Sequence, residues 1–334
     1  MSERDGILAC PVCGDRLRLR DRVARCRAGH SFDQARDGHL HLLTPGKSRS
    51  RAQGDDQSMV AARRAFLDRG HYRVLSEGLH EWVGELMPET MLDVGCGEGT
   101  FTEAMLSAIP DDSSSRPEGK HLHDDHWVAF DISRPAMRLT ARRVPRAVAV
   151  VASVNQLPAV DGSVDLLTSV MSPVLGSEFA RVLAPGGRAL LVTPGDSHLA
   201  ELRAQLYRDY RPHDEEVLLA RSWPVLEQRR FEARVTLGSN EEIMQVWGMT
   251  PYRWNAPEEG VERISALDRL EITVHFVGTL VQPPDDPARD DPAADDWARD
   301  HLVPAEQSPV VPGSGSSAHH AGDAAPHVVD EDPI

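Results

Sequence analysis

The sequence predicts an α/β fold in which a doubly wound sheet is preceded by a small zinc-binding module. Short apolar runs alternate with helical stretches from Met91 onward, and a glycine-rich turn follows the first run. Strands that alternate with helices pair in parallel through right-handed crossovers, which produces an open sheet with helices on both faces. Four closely spaced cysteine and histidine residues near the N-terminus indicate the metal-binding module.

These N-terminal residues have the spacing of a structural zinc site. Two residues separate Cys10 from Cys13, and three separate Cys26 from His30. Two close pairs of ligands fill the four positions of tetrahedral Zn²⁺, and a site closed by four protein ligands is structural rather than catalytic. With four cysteines in 334 residues, a disulfide framework is not expected. The segment is too short to build its own core, so the metal is expected to supply its folding energy.

Positive charge is concentrated around this module, in a chain whose net charge is −16. Residues 1–73 contain 15 Lys and Arg against 9 Asp and Glu, whereas residues 281–334 contain 12 acidic residues against 2 arginines. A phosphate backbone responds to local charge within a Debye length of about 10 Å. The module is therefore a candidate RNA-docking surface, with simple solvation of its arginines as the alternative. Its arginines alternate as on the outer face of a β-ribbon: Arg16, Arg18, Arg20, Arg22, Arg25 and Arg27.

The remaining elements follow in order along the chain. Two helical stretches, residues 59–68 and 72–86, are broken at Gly70 and are expected to join the module to the sheet. Helices of the sheet domain are expected at 134–143 and 177–183. Two later β-like runs are expected to complete the sheet with an antiparallel edge, at 231–237 and 270–280. The main strands are expected at 91–95, 127–131, 147–152, 164–170 and 189–193.

The glycine-rich turn at residues 92–100 (LDVGCGEGT) predicts a cofactor site. Gly95, Gly97 and Gly99 allow the backbone to turn sharply and to approach a ligand closely. Dinucleotide-binding folds use a similar loop, and another Rossmann-like enzyme is the alternative. Asp93 favours S-adenosylmethionine, because a carboxylate at this position suits a cationic or amino group rather than a pyrophosphate.

The ends of the second and third strands extend this interpretation. Asp131 ends the second strand, where an acidic residue can accept both ribose hydroxyls of a nucleoside. Residues 151–165 have the form of an adenine-side loop that leads into a buried strand, and residues 183–187 form a helix stop and a tight turn. This succession resembles the class I, Rossmann-like S-adenosylmethionine methyltransferases.

A narrower resemblance follows from the motifs taken together. The chain resembles the bacterial 23S rRNA (guanine-N1)-methyltransferases of the RlmA type, from about Cys10 to Gln282. The resemblance includes the zinc module and its continuation through Lys47-Ser48-Arg49, the glycine loop, and residues 193–199. Its most specific part is the run MVAARRAFLDRGHY at residues 59–72.

The resemblance implies residue roles and a substrate. Cys10, Cys13, Cys26 and His30 are implied as zinc ligands, and Tyr72, Gly97, Glu98 and His198 as contacts of S-adenosylmethionine. The substrate implied is 23S rRNA, with methylation of guanine N1 in a hairpin of domain II, helix 35, and a homodimer is compatible with the family. Residues 249–254 resemble the branch of Gram-negative bacteria more than the antibiotic-resistance branch, which favours a housekeeping modification.

The sequence does not identify a catalytic base. Glu98, His198 and Asp209 are polar candidates for accepting the N1 proton of a flipped guanine. Residues 171–174 (MSPV) lack the Asn- or Asp-Pro-Pro-aromatic tetrad that often holds an exocyclic amine, and this favours a ring-nitrogen target. Three aromatic residues either stack on the flipped base or pack in the core: Trp247, Tyr252 and Trp254.

Four parts are expected along the chain: a zinc-binding RNA-recognition module (1–45), a helical linker (46–88), a methyltransferase domain (89–282) and an acidic disordered tail (283–334). A polar insertion at 111–126 is expected to be a surface loop. No apolar run approaches the roughly 20 residues needed to cross a bilayer, and no secretion signal is recognisable. A cytoplasmic protein with no membrane partner is therefore expected.

Two other functions are compatible with these motifs. The first is a small-molecule methyltransferase in which the zinc module is only a stabilising cap. The second is a non-catalytic, zinc-dependent RNA-binding protein whose sheet domain senses S-adenosylmethionine. Methyl transfer to rRNA separates the main interpretation from both alternatives.

Overall fold

The fold was analysed in a computed structural model that describes residues 6–43, 54–110, 125–208 and 222–284. These residues belong to one compact unit. Several sequence-based predictions lie outside the described residues: the Lys47-Ser48-Arg49 motif, the candidate base Asp209, most of the insertion at 111–126, and nearly all of the acidic tail. Within the described part of the chain, none of the helices is long and apolar enough to cross a membrane.

The N-terminal module is a three-stranded antiparallel ribbon formed by β1 (Arg18–Arg20), β2 (Val23–Arg25) and β3 (Ser31–Asp33). Asp21 and Arg22 connect β1 to β2 with φ values of 49° and 65°. Positive φ at both residues is the geometry of a two-residue hairpin turn that matches strand twist. Leu17, Leu19 and Ala24 are buried beneath the ribbon, which turns its alternating arginines outward.

Two helices follow, α1 (Gln57–Asp68) and α2 (Arg73–Leu86). The side chain of Asp56 caps α1 by accepting the Ser58 and Met59 main-chain N–H groups at 2.8 and 2.9 Å. As expected, the break lies at Gly70, whose φ is +78°. Both helices pack against the sheet, since Phe66 on α1 and Trp82 on α2 are completely buried in its core. They are thus part of the packed core as well as a connection to the module.

An eight-stranded sheet forms the centre of the molecule, with strand order β10-β11-β9-β8-β5-β6-β7-β4. The run from β4 to β9 is parallel, and β11 pairs antiparallel with both β9 and β10. The predicted α/β sheet with an antiparallel edge is therefore confirmed. Its strands are β4 (Leu40–His41), β5 (Met91–Val94), β6 (Trp127–Asp131), β7 (Val148–Val151), β8 (Val164–Val170), β9 (Leu183–Pro194), β10 (Val225–Leu237) and β11 (Leu270–Val281).

Helices cover the sheet and follow its strands in alternation. The first pair begins directly after the ends of β5 and β6, which are the positions where a parallel sheet binds ligands. Among the later helices, α6 packs against β11 and α7 against β10, at the antiparallel edge. In chain order they are α3 (Thr100–Ser107), α4 (Arg134–Arg143), α5 (Gly176–Val182), α6 (Ala200–Leu206), α7 (Asn240–Gly248), α8 (Tyr252–Asn255) and α9 (Glu258–Ser265).

The short strand β4 was not anticipated from the sequence. It follows the zinc module and adds to the edge of the large sheet, where Leu40 and His41 pair in parallel with Val150 and Val151 of β7. A two-residue strand has too short a pattern to be recognised by alternation. The consequence is that the module is joined to the sheet by main-chain hydrogen bonds. The four-part division of the chain stays a prediction.

Candidate cofactor site and metal centre

The four predicted zinc ligands converge on one point. The Sγ atoms of Cys10, Cys13 and Cys26 and a ring nitrogen of His30 all lie within 4.8 Å of one another. The distance from Cys13 Sγ to Cys26 Sγ is 3.7 Å, and His30 Nδ1 lies 3.6 and 3.3 Å from the sulfurs of Cys10 and Cys26. A tetrahedron with Zn–S bonds of about 2.3 Å places two sulfurs about 3.8 Å apart. The residues therefore fit a closed, structural zinc site.

Each pair of ligands lies on a tight main-chain turn. In the first, the Gly14 N–H donates to the Cys10 carbonyl at 2.9 Å, and in the second, the Gly29 N–H donates to the Cys26 carbonyl at 3.1 Å. Gly14 and Gly29 have φ values of +76° and +90°, a region that favours glycine. Both pairs of ligands are therefore presented by turns whose main-chain conformation glycine adopts without strain.

Five of the six arginines predicted for the outer face of the ribbon are exposed, whereas Arg16, which precedes β1, is half-buried. Arg18 and Arg25 are cross-strand partners, and both are exposed together with Arg20. Arg22 differs from them, because its guanidinium donates to the Ala35 carbonyl at 2.6 Å and is held against the loop after β3. The outer face presents several guanidinium groups to one side, which is the arrangement that binds a phosphate backbone.

The glycine loop joins β5 to α3 with three left-handed residues. Gly95, Gly97 and Gly99 have φ values of +67°, +57° and +89°. At Gly95 space is limiting as well, since a Cβ there would lie 2.4 Å from the Cβ of Ser172. Only glycine fits this position without movement of the segment that follows β8. The loop therefore exposes main chain to the space above the carboxyl ends of the strands.

Asp93 lies beneath this loop rather than at its surface. It is 1% exposed, and its two carboxylate oxygens accept the hydroxyls of Thr102 at 2.5 Å and Thr168 at 2.7 Å. Burial raises the pKa of Asp93 to about 6. These bonds give Asp93 a role in holding the loop to α3 and β8, and its direct contact with a cationic group of the cofactor stays a prediction.

Asp131 lies at the carboxyl end of β6, next to the loop. Its oxygens accept the main-chain N–H groups of Gly97 at 3.1 Å and Ser133 at 2.7 Å. Burial raises the pKa of Asp131, and the nearby carboxylate of Asp55 acts in the same direction. Each carboxylate oxygen has two lone pairs, so these two bonds leave acceptor capacity for ribose hydroxyls.

A cavity of about 720 Å³ opens between the glycine loop, the ends of β8 and β9, and the helices α1 and α8. Pockets of this size hold ligands of the size of S-adenosylmethionine. Of the predicted cofactor contacts, Tyr72, Gly95, Gly97, Glu98 and His198 line it. The segment 171–174 also borders it, with Met171 at a φ of +52°. The site is thus placed at the point where parallel sheets bind their ligands.

Tyr72 and His198 form a buried polar pair in the cavity wall. His198 Nδ1 accepts the main-chain N–H of His275 at 3.2 Å, so the proton of the neutral ring is on Nε2. Nε2 lies 3.2 Å from the hydroxyl oxygen of Tyr72 and donates to it. Burial raises the pKa of the Tyr72 phenol well above its usual value, and its own proton remains available for donation. Since neither ring nitrogen has a vacant lone pair, His198 is disfavoured as a proton acceptor.

Glu98 is buried in an ion-pair network that sequence reasoning did not reveal. Its Oε1 accepts from the guanidinium of Arg143 on α4 at 3.3 Å and from the hydroxyl of Thr100. Arg143 also pairs with Asp68 at the end of α1. These contacts engage the carboxylate in an ion pair and tie the loop to two helices, so Glu98 is a poor candidate for the base.

Two charged residues missed by the sequence analysis line the same cavity. Arg63 and Asp55 form an ion pair beside Gly97, and Arg63 also donates to the Met249 carbonyl at 3.4 Å. Arg63 lies within the run at residues 59–72 on which the family resemblance depends. No local pattern identified Asp55, because its position depends on the main-chain turn before α1, where the Ser133 hydroxyl donates to its carbonyl at 2.8 Å.

The three aromatic residues considered for stacking on a flipped base have different surroundings. Trp247 packs against the hydrophobic core. Tyr252 lines the cavity and contacts Tyr207 edge-on, with ring centroids 6.2 Å apart. Trp254 is 58% exposed, and the guanidinium of Arg253 lies over its ring at 4.6 Å. Tyr252 and Trp254 therefore remain available to a nucleobase, whereas Trp247 is a packing residue.

Comparison with known proteins agrees with this geometry. The zinc-ribbon family model described as "RlmA, N-terminal" matches residues 8–51, and a methyltransferase-domain model matches residues 91–187. The chain is 34% identical over 287 residues to the 23S rRNA (guanine(748)-N(1))-methyltransferase of Streptomyces fradiae, covering 83% of this chain and 96% of the relative. A Micromonospora griseorubida protein assigned to the same guanine-N1 class is 36% identical over 289 residues, covering 78% and 91%.

Similarity to other methyltransferases is confined to a smaller part of the chain. The malonyl-[acyl-carrier protein] O-methyltransferase of Methylococcus capsulatus is 34% identical over 126 residues, which is 35% of this chain and 41% of the relative. Similarity that extends over most of the chain is thus found with the rRNA enzymes.

Proposed function

Because the chain belongs to the family of 23S rRNA (guanine-N1)-methyltransferases, we propose that it transfers the methyl group of S-adenosylmethionine to N1 of a guanine in 23S rRNA. The observation that carries this proposal is that one chain contains both the four zinc ligands and the cavity at the glycine loop. This chain aligns with 96% of the length of a relative whose name states this activity. The zinc ion is structural, and S-adenosylmethionine is the co-substrate.

The target we propose is a guanine in the helix 35 hairpin of domain II. The Streptomyces fradiae relative is named for guanine 748, and the same position is the first candidate here. The preference for a Gram-negative type of housekeeping modification, suggested by residues 249–254, stays a prediction. Mapping the modified nucleotide tests both.

The residues of the cavity suggest how the reaction is organised. S-adenosylmethionine supplies an electrophilic methyl group, and the target guanine must leave its stack for N1 to approach it. We propose that the main chain of Gly95 and Gly97, with Glu98, Asp131, Tyr72 and His198, holds the cofactor. Asp93 and Gly99 would shape the loop. Tyr252, at the cavity wall, and Trp254, on the same short helix, offer aromatic surfaces for the extruded base.

The zinc module would orient the RNA while the sheet domain performs the transfer. Its exposed arginines supply positive charge to a chain that is acidic as a whole. We propose that the parts act as predicted: a module for RNA recognition at 1–45, connecting helices at 46–88, a methyltransferase domain at 89–282 and an acidic tail. A cytoplasmic site of action and a homodimer belong to the same proposal, and sedimentation of the purified chain tests the latter.

Mass spectrometry of 23S rRNA fragments tests the activity directly. In a deletion strain, one N1-methylguanine should disappear, and a plasmid with the intact gene should restore it. N1-methylation blocks Watson–Crick pairing, so a reverse-transcription stop at the same nucleotide should disappear in parallel. Retention of every N1-methylguanine would contradict the proposal. Transfer of labelled methyl to metabolites but not to rRNA would favour a small-molecule methyltransferase, and tight RNA binding without transfer would favour a non-catalytic RNA-binding protein.

A further inference from the structure

The first zinc knuckle, residues 10–14, borders a second cavity on the sheet. This cavity has a volume of about 320 Å³ and lies between the knuckle and the ends of β6 and β7. Cys10 and Pro11 form one wall, Leu42 after β4 contributes to it, and the facing residues are Ile132, Ala152 and Ser153. A metal ligand and the residue beside it thus line a space at the ligand-binding edge of the sheet.

The position of this cavity indicates which part of a nucleoside it would hold. Ile132, which lines this cavity, directly follows Asp131, the proposed ribose ligand, and Asp131 accepts the main-chain N–H of Gly97, which lines the larger cavity. A cofactor whose ribose contacts Asp131 and whose amino-acid part lies along the loop must extend its base over the ends of β6 and β7. The smaller cavity is located there, and this assignment rests on the proposed function.

Hydrogen bonds hold the knuckle and the residues directly before it against residues 156–160, most of which line the cavity. The Ala9 N–H donates to the Pro158 carbonyl at 3.0 Å, and the Val160 N–H donates to the Ile7 carbonyl at 2.9 Å. The side-chain amide of Gln156 donates to the carbonyl of Pro11 at 2.9 Å. A change in the conformation of the knuckle must therefore reach residues 153–160.

We propose that the first zinc knuckle is one wall of the adenine pocket, so that zinc binding and cofactor binding are thermodynamically coupled. A structural zinc site folds the segment that contains its ligands, and without the metal Cys10 and Pro11 have no fixed position. The pocket would then lose a wall. Because coupling between two sites is reciprocal, bound cofactor must equally stabilise the zinc site. The module then contributes to the binding of S-adenosylmethionine as well as to the binding of RNA.

Zinc release from the full-length, zinc-loaded protein tests this coupling without any measurement of activity. Zinc is allowed to partition to equilibrium between the protein and a chromophoric chelator, with and without saturating S-adenosylhomocysteine, the product formed from S-adenosylmethionine. The expected result is an apparent zinc affinity that is at least about fivefold higher in the presence of S-adenosylhomocysteine. Adenosine should reduce zinc release in the same direction, whereas methionine, which lacks the base, should not. Equal partitioning of zinc with and without S-adenosylhomocysteine would overturn the inference.

A variant in the connecting segment distinguishes coupling from general stabilisation. Gln156→Leu removes the bond to Pro11 and should reduce the effect of S-adenosylhomocysteine on zinc release. The matched control Arg25→Gln, on the exposed face of β2, should retain the full effect; an unchanged effect in Gln156→Leu would contradict the route proposed here. Failure of the proposed function gives a different result, namely unmodified rRNA from a protein whose zinc release still responds to S-adenosylhomocysteine.

Discussion

The zinc knuckles and the cofactor loop both turn on glycines with positive φ, but the two regions need glycine for different reasons. At Gly29, with φ +90°, an added Cβ would meet nothing within 4 Å. At Gly95, with φ +67°, an added Cβ would lie 2.4 Å from Ser172. The knuckle thus requires only a backbone conformation, whereas the loop requires the conformation and empty space as well.

This difference follows from what holds each region in place. The second knuckle, which contains Gly29, is held by the metal through its ligands, so its outer surface is left open to solvent. The loop is held by packing and hydrogen bonds, among them the bond from the Ser172 hydroxyl to the Val94 carbonyl at 2.6 Å. A turn held by a metal should tolerate substitutions around it but not substitutions of the four ligands. A packed loop should instead be sensitive to substitutions of the residues that surround it.

The largest effect is expected when a metal ligand is removed. Cys26→Ser should abolish stoichiometric zinc binding and unfold the ribbon, because its three short strands bury only Leu19 and Ala24. Metal analysis of the purified variant measures this directly. The control is Cys96→Ser, which changes the cysteine outside the quartet and should retain zinc. Full zinc occupancy in Cys26→Ser would contradict the assignment of Cys26 as a ligand, and a folded ribbon without zinc would show that packing holds the module.

Alanine at the two glycines should separate strain from steric conflict. Gly95→Ala combines a left-handed backbone with a clash and should lower the free energy of unfolding by about 2–5 kcal/mol. Its affinity for S-adenosylhomocysteine, measured by calorimetry, should fall below detection. Gly29→Ala carries only the backbone strain of about 1–2 kcal/mol and should weaken zinc binding modestly. Gly162→Ala, at φ +61° with nothing within 4 Å, is the strain-only control in the sheet domain. Equal losses at positions 95 and 162 would contradict the steric argument.

The buried carboxylate under the loop should make the stability of the sheet domain depend on pH. Burial raises the pKa of Asp93 from 3.8 to about 6, so the folded state binds this proton more tightly than the unfolded state. The free energy of unfolding should therefore decrease as pH rises from about 4 to about 6, by about 3 kcal/mol in total, and level off above that. Denaturant titrations across this range measure it. In Asp93→Asn the decrease should be smaller by this amount, because only the raised pKa of Asp131 then acts in the same direction, and an identical pH profile in the variant would refute the assignment.

The smallest effect is expected at the pair in the cavity wall. Tyr72→Phe removes the hydroxyl that accepts from His198 Nε2 and should weaken S-adenosylhomocysteine binding by roughly 1 kcal/mol, about fivefold. Tyr207→Phe, which changes a tyrosine outside that cavity wall, is the matched control and should bind normally. If both variants bind S-adenosylhomocysteine as the wild type does, Tyr72 is a packing residue.

The sequence alone determined the features that depend on short spacing. The ligand pairs Cys10–Cys13 and Cys26–His30, the left-handed loop at 95–99, and most strands could be predicted because a few neighbouring residues set their local geometry. The charge split and the alternation of arginines likewise needed only the order of residues. These predictions hold because turn chemistry, metal geometry and strand alternation act over a few residues.

Only the tertiary structure decided the features that join distant segments. Asp93 contacts Thr168 rather than the cavity, the His275 main chain sets the tautomer of His198 across 77 residues, and the knuckle faces the ends of β6 and β7. Nothing near these residues in the sequence specifies such partners. The energy of each of these contacts depends on which groups are buried together. A buried polar group forms hydrogen bonds with the partners that lie beside it in the completed fold.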